Sequence, residues 1–346
     1  MKIGNFDLAQ DGVFIIAELS ANHNGSLEIA KKSVKAAARA GANAIKLQTY
    51  RADTITLNSN NEEFIIKGTK LWDEQTLYSL YEKAYTPWEW HEELFKLAKD
   101  EGLLCFSSPF DVSAIDFLEQ FDPVAYKIAS FEISDYELIG YAASKGKPMI
   151  ISTGVATIDE IQDAVNICRS ENNNEIILLQ CTSSYPAPPE DANLKMIPNL
   201  AETFGVIGGF SDHTLNATAP IVAVSLGARV IEKHFMLDKL IPSADQAFSL
   251  DESEFKVMVQ AVRDAEKMLG KVDYTLNEKR KHNRRFCRSL YVSKSIKKGE
   301  VFTKENIKSV RPSNGLHPKY LKDVLGKRAK HDLEFATPLD LHSVEK

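Results

Sequence analysis

The chain has 346 residues, of which 44% are hydrophobic and 26% are charged. This composition is typical of a globular protein and excludes disorder for most of the chain. The formal net charge of −6 argues against a protein that coats nucleic acid, because such proteins are usually basic. At about 150 residues per domain, the length predicts one large domain and one small domain.

We expect neither a membrane span nor a secretion signal in this sequence. No apolar run reaches the roughly 18 residues that a membrane span needs, and residues 1–12 lack the apolar segment of a signal peptide. The four cysteines have neither metal-ligand nor disulfide-framework spacing; they are Cys105, Cys168, Cys181 and Cys287. We therefore expect a cytoplasmic protein with reduced thiols and no membrane partner.

Short β-branched runs alternate with amphipathic segments along residues 1–270. The predicted strands are 13–17, 43–48, 103–107, 124–129, 148–152, 175–181, 205–210 and 229–234. Ser134, Thr157 and Asp251 are each followed three residues later by glutamate, which predicts helix N-caps. About eight strand–helix repeats predict an α/β fold, a (β/α)8 TIM barrel. An open doubly wound sheet is the alternative, but no glycine-rich phosphate turn follows the first strand.

A long insertion, residues 51–87, separates the second predicted strand from its helix. It is rich in aromatic residues, including Trp72, Tyr78, Tyr81 and Tyr85. A long loop after a barrel strand lies over the C-terminal face of the barrel, so we predict a lid or a substrate wall. The alternative is that the aromatic side chains only pack the insertion in place.

The regular pattern ends at residue 270. Residues 271–288 contain a run of lysines and arginines and predict a basic, solvated linker; a nucleic-acid patch is the weaker alternative. Residues 289–346 contain short strand patterns at 289–292 and 307–310 and many turn residues. We predict a separate, small, β-rich domain there.

Polar or charged residues end every predicted strand, which is where barrel enzymes place their chemistry. In order they are Glu18; Lys46 and Gln48; Ser107 and Ser108; Lys127 and Ser130; Ser152 and Thr153; Thr182; Ser211 and His213; Glu232 and His234. Lysines at a barrel mouth are costly to bury unless they face an anion. Two lysines with several serines therefore indicate a phosphate or carboxylate ligand, although salt bridges to neighbouring carboxylates are the alternative.

His213 and His234 end neighbouring strands, so their imidazoles can converge on a metal ion. Two histidines leave positions open for water or substrate. Oxygen ligands beside histidine favour Mn²⁺, and Zn²⁺ or Fe²⁺ remain open. Asp212 and Asp245 are candidates for orienting the histidines. Glu18 is a candidate general acid or base, or a cap for the helix that follows it.

These strand-end motifs resemble the sialic acid synthase family. They are ELSANHNG at 18–25, IKLQT at 45–49, SSPF at 107–110, YKIASFE at 126–132, STG at 152–154, GFSDHT at 209–214 and EKHF at 232–235. The tail around RPSNG at 311–315 resembles the antifreeze-like (SAF) domain of that family. The resemblance covers nearly the whole chain and implies a TIM barrel followed by a SAF domain.

The resemblance implies condensation of phosphoenolpyruvate with an open-chain amino-sugar aldehyde to a nine-carbon 2-keto acid. Phosphate then leaves by C–O cleavage. Phosphoenolpyruvate would be held by Lys46, Ser108, Lys127, Ser130, Ser152 and Ser211, with Lys46, Lys127 and Glu18 as the catalytic set. The sugar would contact Gln48, Glu132, Tyr185 and Asp245, with Arg311 reaching in from the small domain of a swapped homodimer. His213 and His234 would hold Mn²⁺, with Mg²⁺ or Co²⁺ as alternatives.

The insertion decides the branch of the family. The segment LYEKAYTPWEWH at 80–91, together with Phe131, resembles the pseudaminic acid branch. Members that act on N-acetylmannosamine usually carry glycine at Phe131, asparagine at Ser183 and histidine at Tyr50. The resemblance therefore implies 2,4-diacetamido-2,4,6-trideoxy-L-altrose as acceptor and a role in bacterial surface-glycan or flagellin glycosylation. N-acetylneuraminate and legionaminic acid synthesis are the alternatives.

Other classes of function predict different properties. A class I aldolase would form a Schiff base at Lys127, and a metal-dependent sugar isomerase would need more carboxylate ligands. An ice- or glycan-binding protein would leave the polar barrel mouth without a purpose. A nucleic-acid role would require salt-dependent binding through the basic linker.

Overall fold

The computed structural model describes residues 1–68 and 72–345. The chain separates into two compact units, residues 1–270 and residues 271–346. Within the described residues, no helix is long and apolar enough to cross a membrane.

The first unit is a closed barrel of parallel strands, each followed along the chain by at least one helix. After a short hairpin, β1 (Lys2–Ile3) and β2 (Phe6–Asp7), the barrel strands are β3 (Phe14–Glu18), β4 (Ala44–Thr49), β5 (Leu104–Pro109), β6 (Tyr126–Ile128), β7 (Met149–Ser152), β8 (Ile176–Cys181), β9 (Ile207–Asp212) and β10 (Val230–His234). Because β10 pairs with β3, the sheet has no edges. The TIM-barrel prediction is confirmed, and the open doubly wound sheet is excluded.

The helices of the first unit fall between the strands. They are α1 (Leu27–Ala40), α2 (Ala52–Ile55), α3 (Leu77–Ala84), α4 (His91–Asp100), α5 (Val112–Leu118), α6 (Tyr136–Ser144), α7 (Ile158–Ser170), α8 (Met196–Phe204), α9 (Thr218–Ser225) and α10 (Glu252–Leu269). The insertion after β4 therefore contains α2 and α3, and its residues 69–71 lie outside the described chain.

Two of the three predicted N-caps are confirmed. Thr157 and Asp251 form capping boxes with glutamates three residues on. The prediction for Ser134 is wrong, because Asp135 caps α6 by accepting a hydrogen bond from the backbone of Leu138. The predicted strand start at Gly205 is also wrong. Gly205 ends α8 in the left-handed region (φ 63°), a conformation that suits glycine, and β9 begins at Ile207.

Alternation along the strands divides the core of the barrel into two layers. On β3, Phe14 and Ile16 pack inside the barrel in one apolar cluster with Phe106, Ile150 and Val230. Their neighbours on the strand, Ile15 and Ala17, pack outward against residues of α1 and α10. Side chains of a strand alternate between its faces. The residues that continue the inward alternation at the strand ends therefore point toward the barrel axis.

The second unit has its own small core. The antiparallel strands β11 (Ser289–Val292) and β12 (Ile307–Val310) lie where the sequence predicts strands, and two short helices accompany them, α11 (Glu278–Asn283) and α12 (Leu321–Val324). Leu290, Phe302 and Leu339 are buried in its apolar cluster. Residues 271–288 are exposed throughout, and α11 lies within them.

Candidate active site

A cavity of about 390 Å³ opens at the C-terminal ends of the barrel strands. Most of the predicted site residues line it: Lys46, Gln48, Lys127, Ser130, Glu132, Ser152, Tyr185, Ser211, His213, His234 and Asp245. Glu18 and Ser108 are buried beside it and contact Lys46. Only Arg311 belongs to the second unit, where it is exposed just beyond β12.

The barrel register explains why these side chains converge. Glu18 is the third inward residue of β3, after Phe14 and Ile16, and it lies opposite Lys46 of β4 and His234 of β10. On β10, Val230, Glu232 and His234 follow the same inward alternation. β3 and β10 thus contribute apolar side chains to the barrel core and then polar ones to the strand ends around the cavity.

Two lysines and two carboxylates form a buried cluster at the base of the cavity. Lys46 Nζ lies 2.9 Å from Glu18 Oε2 and 3.0 Å from Glu232 Oε2, and it donates to Ser108 Oγ at 3.3 Å. Lys127 Nζ donates to Ser152 Oγ at 2.7 Å and lies 3.7 Å from Glu232 Oε1. Both lysines are at most 3% exposed. The cluster therefore provides charge that is shielded from water.

Glu232 is a strand-end residue to which the sequence analysis assigned no role. It stands at a strand end, but its role depends on two lysines from strands far apart in sequence. Its carboxylate also accepts a hydrogen bond from Ser211 Oγ at 3.0 Å. The signal that could have found it is its position two residues before His234, on the same inward face of β10.

The cluster shifts the pKa values of its members in opposite directions. Burial raises the pKa of Glu18, and Lys46 offsets only part of that effect. Burial acts the same way on Glu232, but Lys127 and Lys46 outweigh it, so the pKa of Glu232 is lowered. Burial lowers the pKa of Lys127. Glu18 is therefore the carboxyl group of the cluster that can be protonated near neutral pH, whereas Glu232 stays ionised between the two lysines.

Two hydroxyl groups near the lysines have no hydrogen-bond partner. Ser130 Oγ and Ser183 Oγ are buried and unpaired among the described residues. A Cβ atom placed on Gly154 would lie 2.8 Å from Ser130 Oγ and 2.6 Å from Ser183 Oγ. The glycine therefore permits three loops to meet, and the Ser130 hydroxyl, which lines the cavity, remains available to a ligand.

His213 and His234 converge as predicted, with ring centroids 5.3 Å apart. His213 Nδ1 lies 2.9 Å from the carbonyl oxygen of Thr182, to which it can donate, leaving Nε2 with a free lone pair. Burial lowers the pKa of both histidines, so the rings are neutral, as ligands must be. His234 Nδ1 is buried without a hydrogen-bond partner, and the nearest Asp245 oxygen is 3.6 Å away. The residues fit a divalent cation.

The remaining ligands of such a cation would come from outside the protein. Among the described residues, no group of three or more His, Cys, Asp and Glu side chains is arranged to hold a metal ion. Asp245 lies beside His234 as predicted. Asp212 does not orient the histidines; it pairs with Lys233 at 2.5 Å, and both side chains are fully buried. The open positions would be taken by water or substrate.

The insertion forms an apolar wall of the same cavity. Leu77, Leu80, Tyr81 and Ala84 lie on one face of α3 and line the cavity. Tyr50, at the end of β4, packs edge-on against Tyr81 and Phe110 with centroid distances of 5.8 and 5.1 Å. The insertion therefore lines the cavity, and its role as a substrate wall stays a prediction.

Polar groups for a second ligand lie between this apolar wall and the lysines. Gln48 Nε2 donates to Glu18 Oε1 at 3.0 Å. Glu132 Oε2 is buried without a hydrogen-bond partner, and burial raises the pKa of Glu132 to about 7. Tyr185 packs against His213 and Phe248. The cavity thus combines a floor with two buried lysines, a histidine pair and an amphipathic wall.

A (β/α)8 barrel with buried lysines, free hydroxyls and paired histidines at its strand ends defines a class of enzyme that acts on an anionic substrate. The chain belongs to the NeuB family, whose family model matches residues 33–274. A SAF domain matches residues 288–345. The family resemblance predicted from the strand-end motifs is confirmed, as is the predicted SAF domain.

Individual relatives match almost the entire chain. It is 58% identical to a pseudaminic acid synthase of Campylobacter jejuni, with 98% of each chain covered. It is 50% identical to a pseudaminic acid synthase of Helicobacter pylori, with 96% of this chain and 98% of that one covered. The crystal structure of the spore coat polysaccharide biosynthesis protein SpsE of Bacillus subtilis matches with a TM-score of 0.66 and 35% identity, covering 100% and 99% of the two chains.

Proposed function

We propose that the chain catalyses pseudaminic acid synthesis: condensation of phosphoenolpyruvate with 2,4-diacetamido-2,4,6-trideoxy-L-altrose, with release of phosphate. The observation that carries this proposal is the buried pair Lys46 and Lys127, which lines one cavity together with the unpaired Ser130 hydroxyl and an apolar wall. The pseudaminic acid synthases that cover nearly the whole chain support the same acceptor.

Phosphoenolpyruvate is bound by the floor of the cavity. Lys46 and Lys127 neutralise its phosphate and carboxylate, and the hydroxyls donate charge-assisted hydrogen bonds. Ser108, Ser130, Ser152 and Ser211 are the donors we assign to this role. Glu232 keeps the two lysines in place when the ligand is absent, because an unpaired buried charge is costly. Burial of the lysines strengthens their attraction for the anion relative to water.

Glu18 acts on the water molecule that attacks the reacting carbon. It lies between Lys46 and Gln48, and burial raises its pKa toward the neutral range. A carboxyl group tuned in this way can direct a water molecule and take its proton at neutral pH. We assign Glu18 to the water that captures the cationic C2 after C3 has attacked the aldehyde. Phosphate then departs by C–O cleavage.

His213 and His234 are the residues that would hold the metal ion. Members of the family are generally metal-dependent, and we propose Mn²⁺ here, with Mg²⁺ or Co²⁺ as alternatives. When bound, the ion supplies Lewis-acid polarisation of the aldehyde. Asp245, Gln48, Glu132 and Tyr185 orient the sugar around that group.

The apolar wall accounts for a deoxygenated, acetylated sugar. Leu80 and Ala84 offer no hydrogen-bonding group to a sugar hydroxyl, but they suit the C6 methyl and acetamido methyl groups. Phe131 also lines the cavity and is 62% exposed, so it adds apolar surface at the rim. Ser183 has a hydroxyl where an asparagine would place an amide. These features favour the trideoxy sugar over N-acetylmannosamine.

We also propose that the chain forms a swapped homodimer in which Arg311 reaches the cavity of the partner subunit. The apolar side chains exposed near the cavity rim support a covering surface; Phe131, Val155 and Ile158 are 62, 50 and 65% exposed. The test mixes an Arg311→Ala chain with a Lys127→Met chain. Recovery of activity in the mixture supports sharing of the site between subunits, and two persistently inactive chains contradict it.

The experiment that tests the reaction measures phosphate release from phosphoenolpyruvate with Mn²⁺ and two acceptors. A preference for the trideoxy sugar over N-acetylmannosamine, abolished by EDTA, supports the proposal. Turnover of N-acetylmannosamine instead would support the proposed reaction but contradict the proposed acceptor sugar. If neither sugar is turned over, the proposed acceptor is contradicted, and other diacetamido sugars are the next acceptors to test.

A further inference from the structure

Asn22 is buried behind the cavity and bridges distant parts of the barrel. It follows β3 in a turn of 3-10 helix (Ser20–His23) and is 1% exposed. Its Nδ2 donates to the carbonyl oxygen of Phe235 at 2.9 Å and to Ser249 Oγ at 2.8 Å. Its Oδ1 accepts from Ser243 Oγ at 2.5 Å. All three bonds reach the segment between β10 and α10.

That segment, residues 235–250, carries the groups that flank the histidine pair. Asp245 Oδ2 lies 3.6 Å from His234 Nδ1, and the Phe248 ring packs on His234 with a centroid distance of 4.8 Å. Ser249 Oγ, which accepts from Asn22, in turn donates to the carbonyl oxygen of Asp245 at 2.7 Å. A continuous chain of hydrogen bonds therefore runs from Asn22 to the backbone of Asp245.

We infer that Asn22 is a positioning residue, which sets the 235–250 segment so that Asp245 and Phe248 lie against His234. Asn22 does not line the cavity and would touch no substrate, so its effect on the reaction passes through the segment. The Asn22 amide uses both of its N–H donors and its oxygen in these bonds. Removing the amide leaves the Phe235 carbonyl and the hydroxyls of Ser243 and Ser249 without their Asn22 partner. The inference rests on the proposed function for its consequence in catalysis.

A second asparagine provides a matched control. Asn173 is 5% exposed; its Nδ2 donates to the carbonyl oxygens of Ala143 and Lys147, and its Oδ1 accepts from the backbone of Glu175. It precedes β8, at the end of the barrel opposite the cavity. Asn173→Ala therefore removes the same number of side-chain hydrogen bonds, two donated and one accepted, without touching the 235–250 segment. It reports the cost of a merely structural loss.

The test compares Asn22→Ala with Asn173→Ala in the full chain by hydrogen exchange. The amides of Met236 and Leu250 donate to Leu250 and His234, so their protection measures the order of the segment. We expect Asn22→Ala to speed their exchange by at least about tenfold, with no such effect from Asn173→Ala. Unchanged exchange at these amides in Asn22→Ala, or equal acceleration in the two variants, overturns the inference.

The second measurement is Mn²⁺ affinity and the Michaelis constants. We expect Asn22→Ala to weaken Mn²⁺ binding by about 10–100-fold, as loss of supporting residues around a metal site does. The KM for the sugar should rise while the KM for phosphoenolpyruvate stays near that of the parent. Equal changes in both KM values would overturn the positioning role.

A milder variant keeps the inference testable if Asn22→Ala does not fold. Ser249→Ala removes the bond from Asn22 Nδ2 and the bond to the Asp245 carbonyl, but leaves the bonds of Asn22 to Phe235 and Ser243 in place. It should reproduce the faster exchange and the weaker Mn²⁺ binding in smaller measure. If the proposed function is wrong, the parent protein binds no Mn²⁺ and turns over no sugar. Hydrogen exchange in the parent and in Asn22→Ala still shows whether Asn22 orders the segment. The exchange experiment then decides the inference alone.

Discussion

Glu232 holds a carboxylate oxygen 3.0 Å from the Nζ of Lys46, across the inside of the barrel. The two residues come from β10 and β4, which are separated by β3. The other oxygen of Glu232 lies 3.7 Å from Lys127 Nζ. One carboxylate thus sits between two lysines, and an anion entering the cavity would meet a charge cluster already arranged for it.

Lys127→Met should weaken phosphoenolpyruvate binding. The change removes a buried cation and its charge-assisted hydrogen bonds, so we expect the dissociation constant to rise at least about tenfold. Calorimetric titration with phosphoenolpyruvate measures this. The control is Lys147→Met, which removes a surface lysine paired with Asp122, away from the cavity. Equal affinity in the two variants would remove Lys127 from the anion site.

The strand-end residues could be predicted from the sequence because their chemistry is local. Inward positions of a strand repeat every second residue, so Lys46 and Gln48, or Glu232 and His234, can be identified without coordinates. Once eight strand–helix repeats are recognised, all strand ends belong to one face of a barrel. The fold and the strand-end residues therefore follow from periodicity and strand order, whereas Glu132, Tyr185 and Arg311 are assigned only through the family resemblance.

Pairing within the site could not be predicted in this way. Glu232 acquires its role from Lys46 and Lys127, and those distances depend on how the barrel closes. The apolar wall depends on how α3 is oriented over the cavity, which the aromatic composition of the insertion does not specify. At Asp135, a neighbouring carboxylate competed for the cap position that the sequence assigned to Ser134.

Gly154→Ala should lower the affinity for phosphoenolpyruvate by displacing the loops that meet at this glycine. The added Cβ would come within 2.8 Å of Ser130 Oγ and 3.1 Å of the Cys181 carbonyl oxygen, so the loops must move apart. We expect the KM for phosphoenolpyruvate to rise by about tenfold, the effect of one lost charged hydrogen bond. Gly140→Ala, in α6 with its nearest contact at 3.4 Å, is the control. A parent-like KM in Gly154→Ala would show that the loops yield freely.

His234→Gln should abolish tight Mn²⁺ binding. It removes one of the two imidazoles that would hold the ion, so the loss should exceed the roughly 10–100-fold typical of supporting residues. Electron paramagnetic resonance of free Mn²⁺ measures the affinity directly. His331→Gln, on the surface of the second unit, should bind as the parent does. Parent-like affinity in His234→Gln would exclude the histidine pair as the metal site.

Glu132→Gln should become more stable relative to the parent as the pH rises. Burial raises the pKa of Glu132 from 4.5 to about 7, so between these values the folded protein binds more protons than the unfolded chain. The free energy of unfolding of the parent therefore falls with pH in that window, and glutamine escapes the penalty. The difference should grow by up to about 3 kcal/mol between pH 4.5 and 7 and level off above. Urea unfolding at pH 5 and pH 8 measures it, and a difference independent of pH would contradict the buried ionisation.

Leu80→Ser should weaken the selection of the trideoxy sugar. Leu80 lines the cavity from α3, and replacing its side chain with a hydroxyl removes apolar surface that would cover a methyl group. The KM for the trideoxy sugar should rise by at least about tenfold, while the KM for phosphoenolpyruvate is unaffected. Leu57→Ser makes the same replacement in the same insertion, at a side chain that is 67% exposed and outside the cavity lining. If both variants instead keep the preference of the parent for the trideoxy sugar over N-acetylmannosamine, α3 does not select the acceptor. Selection must then come from other residues of the cavity such as Phe131.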